Sequence, residues 1–417
     1  MLKIFIKSLW NRKGTTLLTI LSFSLSVFLL LGIERIRNGT KESFESTISD
    51  VDIIAGARSG PLHLLLYSVF RIGDATNNIS YETYKQIDEH DDVNWTIPIS
   101  LGDSHKGHRV VGTNDNYFKH YSYANKKKIA FDEGKPFKEL YDVVLGSKVA
   151  SKLNYKIGQK IVLSHGTSAA SFQDHDDKPF KVVGILKPTG TPIDSSLHVS
   201  LEAITAIHID WGDGAPPAAG KSISQEETLK MDLKPSDITA FFIKTKTRFG
   251  VFKMQRFLND YEEEAIMGVL PLITLQQLWG TVGVVENALL GVSAMVFLVS
   301  LVGIMISLLA TLNEKRREMA IFRSLGAHKS FILSMMLSET LIISVFGSLF
   351  GIILLYGSLF LLQPILESEI GITVSLFSFK PIDSIYILCM TVGGLLASII
   401  PSIQLYKKSV ADGLTIK

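Results

Sequence analysis

The sequence predicts an α-helical membrane protein with four transmembrane helices, one followed by three, and a large mixed α/β extracytoplasmic domain between helices one and two. Mean hydropathy is +0.27 and only 20% of the 417 residues are charged, a combination that is unusual for a soluble protein. Four stretches lack Asp, Glu, Lys and Arg and are long enough to cross ~30 Å of hydrocarbon, which takes ~20 helical residues. The long segment between the first two stretches is polar.

The four charge-free stretches are residues 14–33, 287–313, 340–366 and 384–406. Each must be helical, because an isolated strand cannot satisfy its backbone hydrogen bonds in lipid. Basic residues precede the first stretch, as in a signal peptide, but its apolar run is longer than that of a usual signal and no A-x-A-like site follows. We therefore expect residues 1–33 to form a cytoplasmic amphipathic N-terminus and an uncleaved first span.

Basic residues near the spans predict the orientation, because short loops rich in Lys and Arg stay in the cytoplasm. They precede span one, lie between spans two and three, and follow span four, whereas the loop between spans three and four is mainly acidic. Both termini are therefore expected in the cytoplasm and residues 34–272 outside it. The remaining segments are a stalk helix with span two (273–313), a cytoplasmic segment (314–339), spans three (340–366) and four (384–406), and a cytoplasmic tail (407–417).

Residues 34–272 alternate short β-branched runs with helical patterns, which predicts a mixed α/β fold. Strands are expected at 109–112, 142–145, 160–163, 180–185 and 238–244, and helices at 80–90, 147–153 and 251–264. In the last helix an apolar stripe is expected from Phe252, Met254, Phe257 and Leu258. The Gly- and Pro-rich residues 211–235 predict a flexible loop. Helical patterns at 33–49 and 273–286 continue into the adjoining spans, which favours a rigid stalk over a flexible linker.

Several functions are excluded by the sequence. A net charge of +2 gives no basis for nucleic-acid binding, and a single Cys excludes a disulfide framework. No G-x-x-x-x-G-K-[ST] phosphate loop occurs, so the chain has no Walker-type ATP site of its own. Neither H-E-x-x-H nor G-x-S-x-G occurs, so the commonest protease and esterase signatures are absent. We therefore predict no catalytic residues and no cofactor bound by this chain.

One group of polar residues has the composition of a metal site. His165 lies near the run formed by Asp174, His175, Asp176 and Asp177, and imidazole and carboxylate groups are ligands that suit zinc. A second pair is formed by His105 and His108. Two interpretations stay open, because spacing alone cannot establish convergence in space: a metal site, or surface polar residues on loops.

The segment between spans two and three reads Glu-Lys-Arg-Arg-Glu-Met-Ala-Ile-Phe-Arg-Ser-Leu-Gly-Ala over residues 314–327. On a helix, Met319, Phe322 and Leu325 share an apolar face with Ile321 beside it. Gly326 is well placed to end such a helix. The segment is either a basic loop at the lipid headgroups or a coupling helix that docks on a cytoplasmic ATPase.

This segment resembles the R-x-E-I-x-[IV]-L-[RK]-[AS]-[LI]-G-A signature of MacB/FtsX-type permeases, the type VII or mechanotransmission class of ABC transporters. Residues 2–30 are similar to the family's first helix, and residues 400–414 resemble its C-terminal P-A-x-x-A-x-x-x-[DN]-P-[IV]-E-A-L-[RK] motif, with Ser409 in place of Pro. The resemblance favours the coupling helix. The ATPase-docking residues that it implies are Glu314, Arg317, Glu318, Met319, Ile321, Phe322, Leu325 and Gly326.

The resemblance also implies partners and a location. The chain would be a permease subunit in the bacterial inner membrane, paired with a second permease copy and with ABC ATPase subunits that hold ATP and Mg. A periplasmic or outer-membrane partner is expected as well. ATP hydrolysis would move the outer domain, for export or extraction of a substrate that the sequence does not identify. Two alternatives are a lipoprotein-releasing permease and an FtsX-like signalling subunit that regulates a periplasmic partner.

Two spans carry small residues four positions apart. Gly347 and Gly351 lie in span three, and Gly394 and Ser398 lie in span four. Such pairs allow helix backbones to approach closely in a membrane. We expect these residues to pack against other spans, the alternative being that they face lipid.

A more local resemblance concerns residues 175–194 and 198–204. They are similar to proteobacterial MacB-like permeases, some of which belong to gene clusters linked to zinc limitation. This resemblance adds interest to the metal hypothesis at His175.

Overall fold

The computed structural model of the chain describes residues 13–166, 173–211, 223–310, 321–322, 326–365 and 381–411. These residues divide into two compact units. The helical unit contains the described residues up to 40 and from 282 onward, and the α/β domain contains those from 41 to 281.

The helices and strands of the two units are as follows in chain order. The described α-helices are α1 (Lys13–Thr47), α2 (Pro61–Leu65), α3 (Tyr81–Asp88), α4 (Asn116–His120), α5 (Ser147–Leu153), α6 (Leu201–His208), α7 (Gln225–Thr228), α8 (Arg248–Asn259), α9 (Pro271–Ala310), α10 (Lys329–Ile365) and α11 (Pro381–Ala411). A π-helical segment (Leu66–Phe70) follows α2, and a 3-10 helix (Pro192–Ser195) precedes Ser196. The described strands are β1 (Ile53–Ala57), β2 (Ile79–Ser80), β3 (Val93–His105), β4 (His108–Thr113), β5 (Ser122–Tyr123), β6 (Lys127–Lys128), β7 (Phe131–Gly134), β8 (Asp142–Leu145), β9 (Lys160–Ile161), β10 (Ser164–His165), β11 (Gln173–Asp174), β12 (Phe180–Leu186), β13 (Ser196–Ser200), β14 (Asp237–Ile238), β15 (Ala240–Thr245) and β16 (Ile266–Val269).

Four helices are long and apolar enough to cross a membrane. They are α1, α9, the part Leu333–Gln363 of α10 and the part Pro381–Gln404 of α11. The predicted fold class is confirmed: one such helix precedes the α/β domain and three follow it. Pro271 and Pro381 each begin a helix, where proline is favoured because the first helical N–H has no partner inside the helix. As predicted, α1 continues to Thr47 and α9 begins well before its charge-free stretch.

The α/β domain is built on one mixed sheet. Its strand order is β16-β1-β15-β3-β4-β13-β8-β12-β7. Neighbours along this order are antiparallel except for the pairs β4–β13 and β8–β12. The long strand β3 pairs with β15 over its first half, up to Ile99, and with β4 over its second half, from Ser100 to His105. Short strand β10 pairs with the end of β3 on one side and with β11 on the other.

The helices of this domain begin where the sequence supplies capping groups. Ser80, Ser200 and Thr247 precede α3, α6 and α8, and each side chain accepts a hydrogen bond from a backbone N–H in the first turn. A capping hydroxyl of this kind stabilises a helix by about 1 kcal/mol. The apolar sides of α6 and α8 then contribute to buried clusters of the domain.

The predicted stripe of the last helix in this domain differs from the structure. Helix α8 begins at Arg248 and buries Met254 and Leu258, whereas Phe252 is 66% exposed and Phe257 is 37% exposed. Met254 and Leu258 are four positions apart and share one face of a helix, while Phe252 lies on another side. The buried face is therefore narrower than the sequence suggested.

The predicted flexible loop at 211–235 is also only partly a loop. Residues 212–222 of this segment lie outside the described residues. Helix α7 forms within the remainder, begins with a capping box at Ser224 and Glu227, and buries Thr228. The hydroxyls of Thr228 and Tyr141 are hydrogen bonded at 2.7 Å, so this part of the segment is anchored to the domain.

Candidate functional site

Four side chains of the α/β domain converge beside the end of β3. Asp103 lies in β3, and His165 of β10 lies directly opposite it in antiparallel register. His175 follows β11, the other neighbour of β10, and His208 is the last residue of α6. One oxygen or nitrogen atom from each of the four lies within 4.8 Å of the other three. We call these residues the Asp–His cluster.

Three atoms of the Asp–His cluster form a tight triangle. Nδ1 of His165 and Nε2 of His208 are 3.0 Å apart. Oδ1 of Asp103 lies 3.4 Å from the first nitrogen and 3.3 Å from the second. The two approaches of Oδ1 lack the alignment of hydrogen bonds, since Oδ1 has no hydrogen-bond partner among the described residues. The two ring nitrogens are within hydrogen-bonding distance of each other. The three atoms are close enough to share one bound ion.

Two members of the cluster are deeply buried. Asp103 is 1% exposed and His175 is 2% exposed, and Nε2 of His175 also lacks a hydrogen-bond partner among the described residues. Buried polar atoms are nearly always paired, and leaving one unpaired costs about 1–3 kcal/mol. The side chains of His165 and His208 are partly exposed, so the cluster is accessible from solvent on their side.

Neighbouring groups fix the orientation of the imidazole rings. Nδ1–H of His208 donates to the carbonyl oxygen of Ile204 at 2.9 Å. In a neutral ring this bond leaves the lone pair of Nε2 directed away from the helix, on the atom that belongs to the triangle. The ring of Trp211 lies 4.8 Å from that of His165, 5.0 Å from that of His175 and 5.3 Å from that of His208. The three imidazoles are therefore held around one aromatic ring.

The electrostatics favour metal-binding protonation states at Asp103 and His175. Burial alone would raise the pKa of Asp103, but its contacts with His165 and His208 outweigh burial and lower the pKa to about 2. Burial, followed by the charge of His208, lowers the pKa of His175 to about 4. Burial opposes protonation of His208 as well, yet Asp103 raises its pKa overall. At neutral pH the cluster thus contains a carboxylate anion and a neutral His175, the forms that coordinate metal ions.

The structure brings together two of the five residues predicted for a metal site. His165 and His175 belong to the cluster. Asp176 and Asp177 are exposed on the turn after β11 and are not members. Asp174 lies in β11, but its side chain is outside the described part of the chain. Of the predicted run at 174–177, the Asp–His cluster therefore contains His175 and, among the described side chains, no carboxylate.

Sequence reasoning missed Asp103 and His208. Both are far along the chain from His175 and reach it only through strand pairing and the end of α6. A usable signal was the Lys106-Gly107 pair, because two-residue turns containing Gly connect hairpin strands. In the structure both residues have positive φ, as such a turn requires. His105, of the second predicted histidine pair, makes other contacts. Its two ring nitrogens contact the carbonyl of Val162 at 2.6 Å and a tyrosine hydroxyl at 2.9 Å.

Three of the predicted ATPase-docking residues are described. Ile321 is 57% exposed, and the ring of Phe322 contacts that of Phe331 edge-on at 5.6 Å. Gly326 has φ 93°, and the N–H of Ala327 donates to the carbonyl of Phe322 at 3.0 Å. This is the hydrogen bond of a Schellman helix end with glycine in the left-handed position, as the sequence predicts for Gly326. The other docking residues, Glu314, Arg317, Glu318, Met319 and Leu325, lie outside the described residues.

The small residues of spans three and four lie at close helix contacts. A Cβ added at Gly347 would lie 2.8 Å from the ring of Phe23, and one at Gly351 would lie 2.7 Å from the carbonyl oxygen of Ser24. A Cβ at Gly394 would lie 2.9 Å from the hydroxyl of Ser344 in α10. Ser398 is fully buried. The two glycines of α10 therefore allow α1 to approach its backbone.

A buried ion pair in the helical unit was not predicted. Arg35 of α1 donates to Asp383 of α11 at 2.5 Å, with side chains 6% and 3% exposed, and to the hydroxyl of Tyr356 of α10 at 3.3 Å. Arg37 of α1 approaches Glu286 of α9 at 4.0 Å. These contacts connect α1 to each of the other three long helices.

Two family models match the chain. The model described as the MacB-like periplasmic core domain matches residues 16–231, and the one described as the FtsX-like permease C-terminal region matches residues 290–410. The chain belongs to the MacB/FtsX family of ABC transporter permeases. The predicted family is thereby confirmed, together with its multi-pass order along the chain: one span-length helix, a periplasmic-type domain and three further span-length helices.

Curated relatives share about half of this permease chain or less. An uncharacterised ABC transporter permease of Methanocaldococcus jannaschii is 28% identical over 182 residues, which are 43% of this chain and 40% of that protein. The pyoverdine export ATP-binding/permease protein PvdT of Pseudomonas savastanoi pv. phaseolicola is 24% identical over 205 residues, 49% of this chain and 29% of that protein. The chain thus spans well under half the length of these relatives.

Two solved structures are also similar to the permease. The periplasmic region of MacB from Actinobacillus actinomycetemcomitans is 10% identical with a TM-score of 0.34, covering 56% of this chain and 94% of that one. The extracellular domain of the noncanonic ABC-type transporter YknZ from Gram-positive bacteria is 14% identical with a TM-score of 0.30, covering 52% and 98%.

Proposed function

We propose that this permease subunit couples ATP hydrolysis by a separate ABC ATPase to movement of its α/β domain on the outer side of the bacterial inner membrane. The observation that carries the proposal is the length of α1 and α9, which have 35 and 40 residues. At about 1.5 Å per residue they extend about 52 and 60 Å. The hydrocarbon core takes only about 30 Å, so each helix also provides a stiff extension of 20 Å or more.

Both extensions are anchored inside the α/β domain. The hydroxyl of Tyr121 donates to the carbonyl of Thr47, the last residue of α1, at 2.8 Å. Phe44 of α1 packs on Phe70 at 4.6 Å and on Trp279 of α9 at 5.7 Å between ring centroids. A displacement of either helix would therefore shift aromatic side chains in the core of the domain. Because Phe44 of α1 contacts Trp279 of α9, the two helices would move together.

On the cytoplasmic side, the segment ending at Gly326 is the proposed contact with the ATPase. ATP and Mg would be held entirely by that partner, and the chain would act as a dimer with its termini in the cytoplasm. The exposed Ile321 supports this assignment, because an apolar side chain in a charged loop is suited to a protein groove. A periplasmic or outer-membrane partner would receive the movement of the α/β domain.

The test is to soften the stalk without changing its length. Gly280 and Gly283 already flank two residues in α9, so the double change Thr281→Gly/Val282→Gly creates four consecutive glycines. The matched control is Thr281→Ala/Val282→Ala, since each Gly costs about 1 kcal/mol of helix stability relative to Ala. Spin labels at Lys230→Cys, in a Cys389→Ser background, would report the distance between the α/β domains of two copies in a lipid nanodisc with the ATPase.

We expect ATP to change this distance in the native stalk and in the alanine control, and to change it much less in the glycine variant, with ATPase binding retained in all three. An equal change in the glycine variant would refute coupling through a rigid stalk. Failure of the full chain to co-purify with any ATPase would refute the proposal as a whole. In the same purification, a released lipoprotein or a bound periplasmic hydrolase would favour the lipoprotein-releasing or the signalling alternative.

A further inference from the structure

We propose that Asp103, His165, His175 and His208 bind one Zn²⁺ ion in a tetrahedral site of the α/β domain. The site is independent of the ATPase-coupling function, because its ligands lie on β3, β10, the turn after β11 and α6 and involve neither stalk helix.

The spacing of the ligand atoms matches the metal. Zinc binds histidine nitrogen at about 2.0–2.1 Å and carboxylate oxygen at about 2.0–2.2 Å, so the atoms at the corners of a zinc tetrahedron are about 3.3–3.4 Å apart. The three distances between the ligand atoms of Asp103, His165 and His208 are 3.0, 3.3 and 3.4 Å. The fourth ligand, His175, offers a ring nitrogen within 4.8 Å of each of these atoms.

The unpaired buried atoms supply a second, independent argument. Oδ1 of Asp103 and Nε2 of His175 are both buried, and neither has a hydrogen-bond partner among the described residues. Two such atoms in one cluster are unusual, because burial removes their hydrogen bonds to water and no protein hydrogen bond replaces them. A cation between them satisfies both atoms at once.

One ligand, His208, has an outer contact that is common in zinc sites. Zinc-bound histidines commonly donate their second ring N–H to a carbonyl or carboxylate, which fixes the ring. Nδ1–H of His208 donates to the carbonyl of Ile204 in this way at 2.9 Å. Three imidazoles and one carboxylate suit zinc, whereas magnesium and calcium require mainly oxygen ligands.

With four protein ligands the site has no open position for a reacting water, so its role is to join structural elements. Zinc would connect the end of β3, the β10–β11 pair and the end of α6. We therefore expect zinc to raise the melting temperature of the chain and to slow exchange of the amides in these elements.

The experiment uses the full chain in detergent, stripped of metal with EDTA and desalted. Zinc alone is then titrated, bound zinc per chain is measured by mass spectrometry, and Co²⁺ is substituted to read the intense visible absorption of a tetrahedral site. We expect one zinc per chain, unaffected by excess Mg²⁺ or Ca²⁺. Asp103→Asn and His165→Ala should each weaken zinc binding at least about 100-fold, since even residues that only orient ligands contribute 10- to 100-fold.

The control is Asp176→Asn, an exposed carboxylate next to His175 that is not part of the cluster, and it should bind zinc as the native chain does. His165 is the most exposed ligand, so His165→Ala tests the site even if the buried Asp103→Asn variant fails to fold. Native affinity in His165→Ala, or no stoichiometric zinc in the native chain, would overturn the proposal. The cluster would then be a hydrogen-bonded group that shares protons.

Discussion

The buried ion pair between Arg35 and Asp383 gives a quantitative prediction for the helical unit. Removing one member of a buried pair leaves an uncompensated charge and typically costs about 3–5 kcal/mol, whereas replacing both by apolar residues of similar volume is close to neutral. Both side chains are nearly inaccessible, at 6% and 3% exposure, and Nε of Arg35 is already without a hydrogen-bond partner among the described residues. The pair therefore lies in the range where desolvation dominates.

We expect Asp383→Leu and Arg35→Met each to lower the free energy of unfolding by about 3–5 kcal/mol. The double variant should lie within about 1 kcal/mol of the native chain, because it removes both buried charges. Denaturant titration in mixed micelles, followed by circular dichroism, measures the three differences.

The neighbouring exposed position provides the control for this cycle. Ser384→Leu adds the same side chain one residue further along α11 and should change stability by less than about 0.5 kcal/mol. If the double variant is as unstable as the single variants, or if the single variants behave like Ser384→Leu, the pair does not act as a buried charge pair and the reasoning fails.

Three further predictions concern packing and pH. Gly351→Val should destabilise the helical unit by about 1–3 kcal/mol, because overpacking forces backbones apart, while Gly357→Val, which has open space, should have little effect in the same micelle titration. Burial, followed by a nearby cation, lowers the pKa of His198 from 6.5 to about 3. The folded state therefore binds this proton less tightly than the unfolded state. The contribution of His198 to the free energy of unfolding is fully present above pH 6.5 and falls by up to about 1.4 kcal/mol per pH unit below it. His198→Leu should remove that component, seen as a flatter pH dependence than that of the native chain. Met254→Ala should cost about 2–5 kcal/mol but Phe252→Ala less than about 0.5 kcal/mol, and equal losses would contradict the assignment of the buried face of α8.

The sequence allowed the span-length helices and their extensions to be predicted, because both are properties of contiguous residues. A charge-free run long enough to cross a membrane, and a helical pattern continuing beyond it, are visible without any knowledge of neighbours. The same holds for Gly326, where a single glycine after an amphipathic run marks the helix end. The structure gives that glycine the positive φ that favours its residue type.

Features that depend on pairing between distant residues could not be predicted in the same way. Arg35 and Asp383 lie just outside their charge-free stretches, where charged residues are ordinary, and only helix packing makes them partners. In the Asp–His cluster, His165 and His175 were named from composition. Asp103 was not, because only the pairing of β3 with β10 places it opposite His165. Asp176 and Asp177 were predicted as metal ligands because they follow His175 in sequence. In a turn, however, neighbouring residues need not direct their side chains to the same site.

The length of β3 has a consequence for how the α/β domain comes apart. Residues up to Ile99 pair with β15, and residues from Ser100 onward pair with β4, so one strand completes both halves of the sheet. Neither half can lose this strand without exposing hydrogen-bonding groups of the other. The two halves should therefore open as a single cooperative unit, and amides of β15 and β13 should exchange with solvent deuterium at rates set by one common opening free energy.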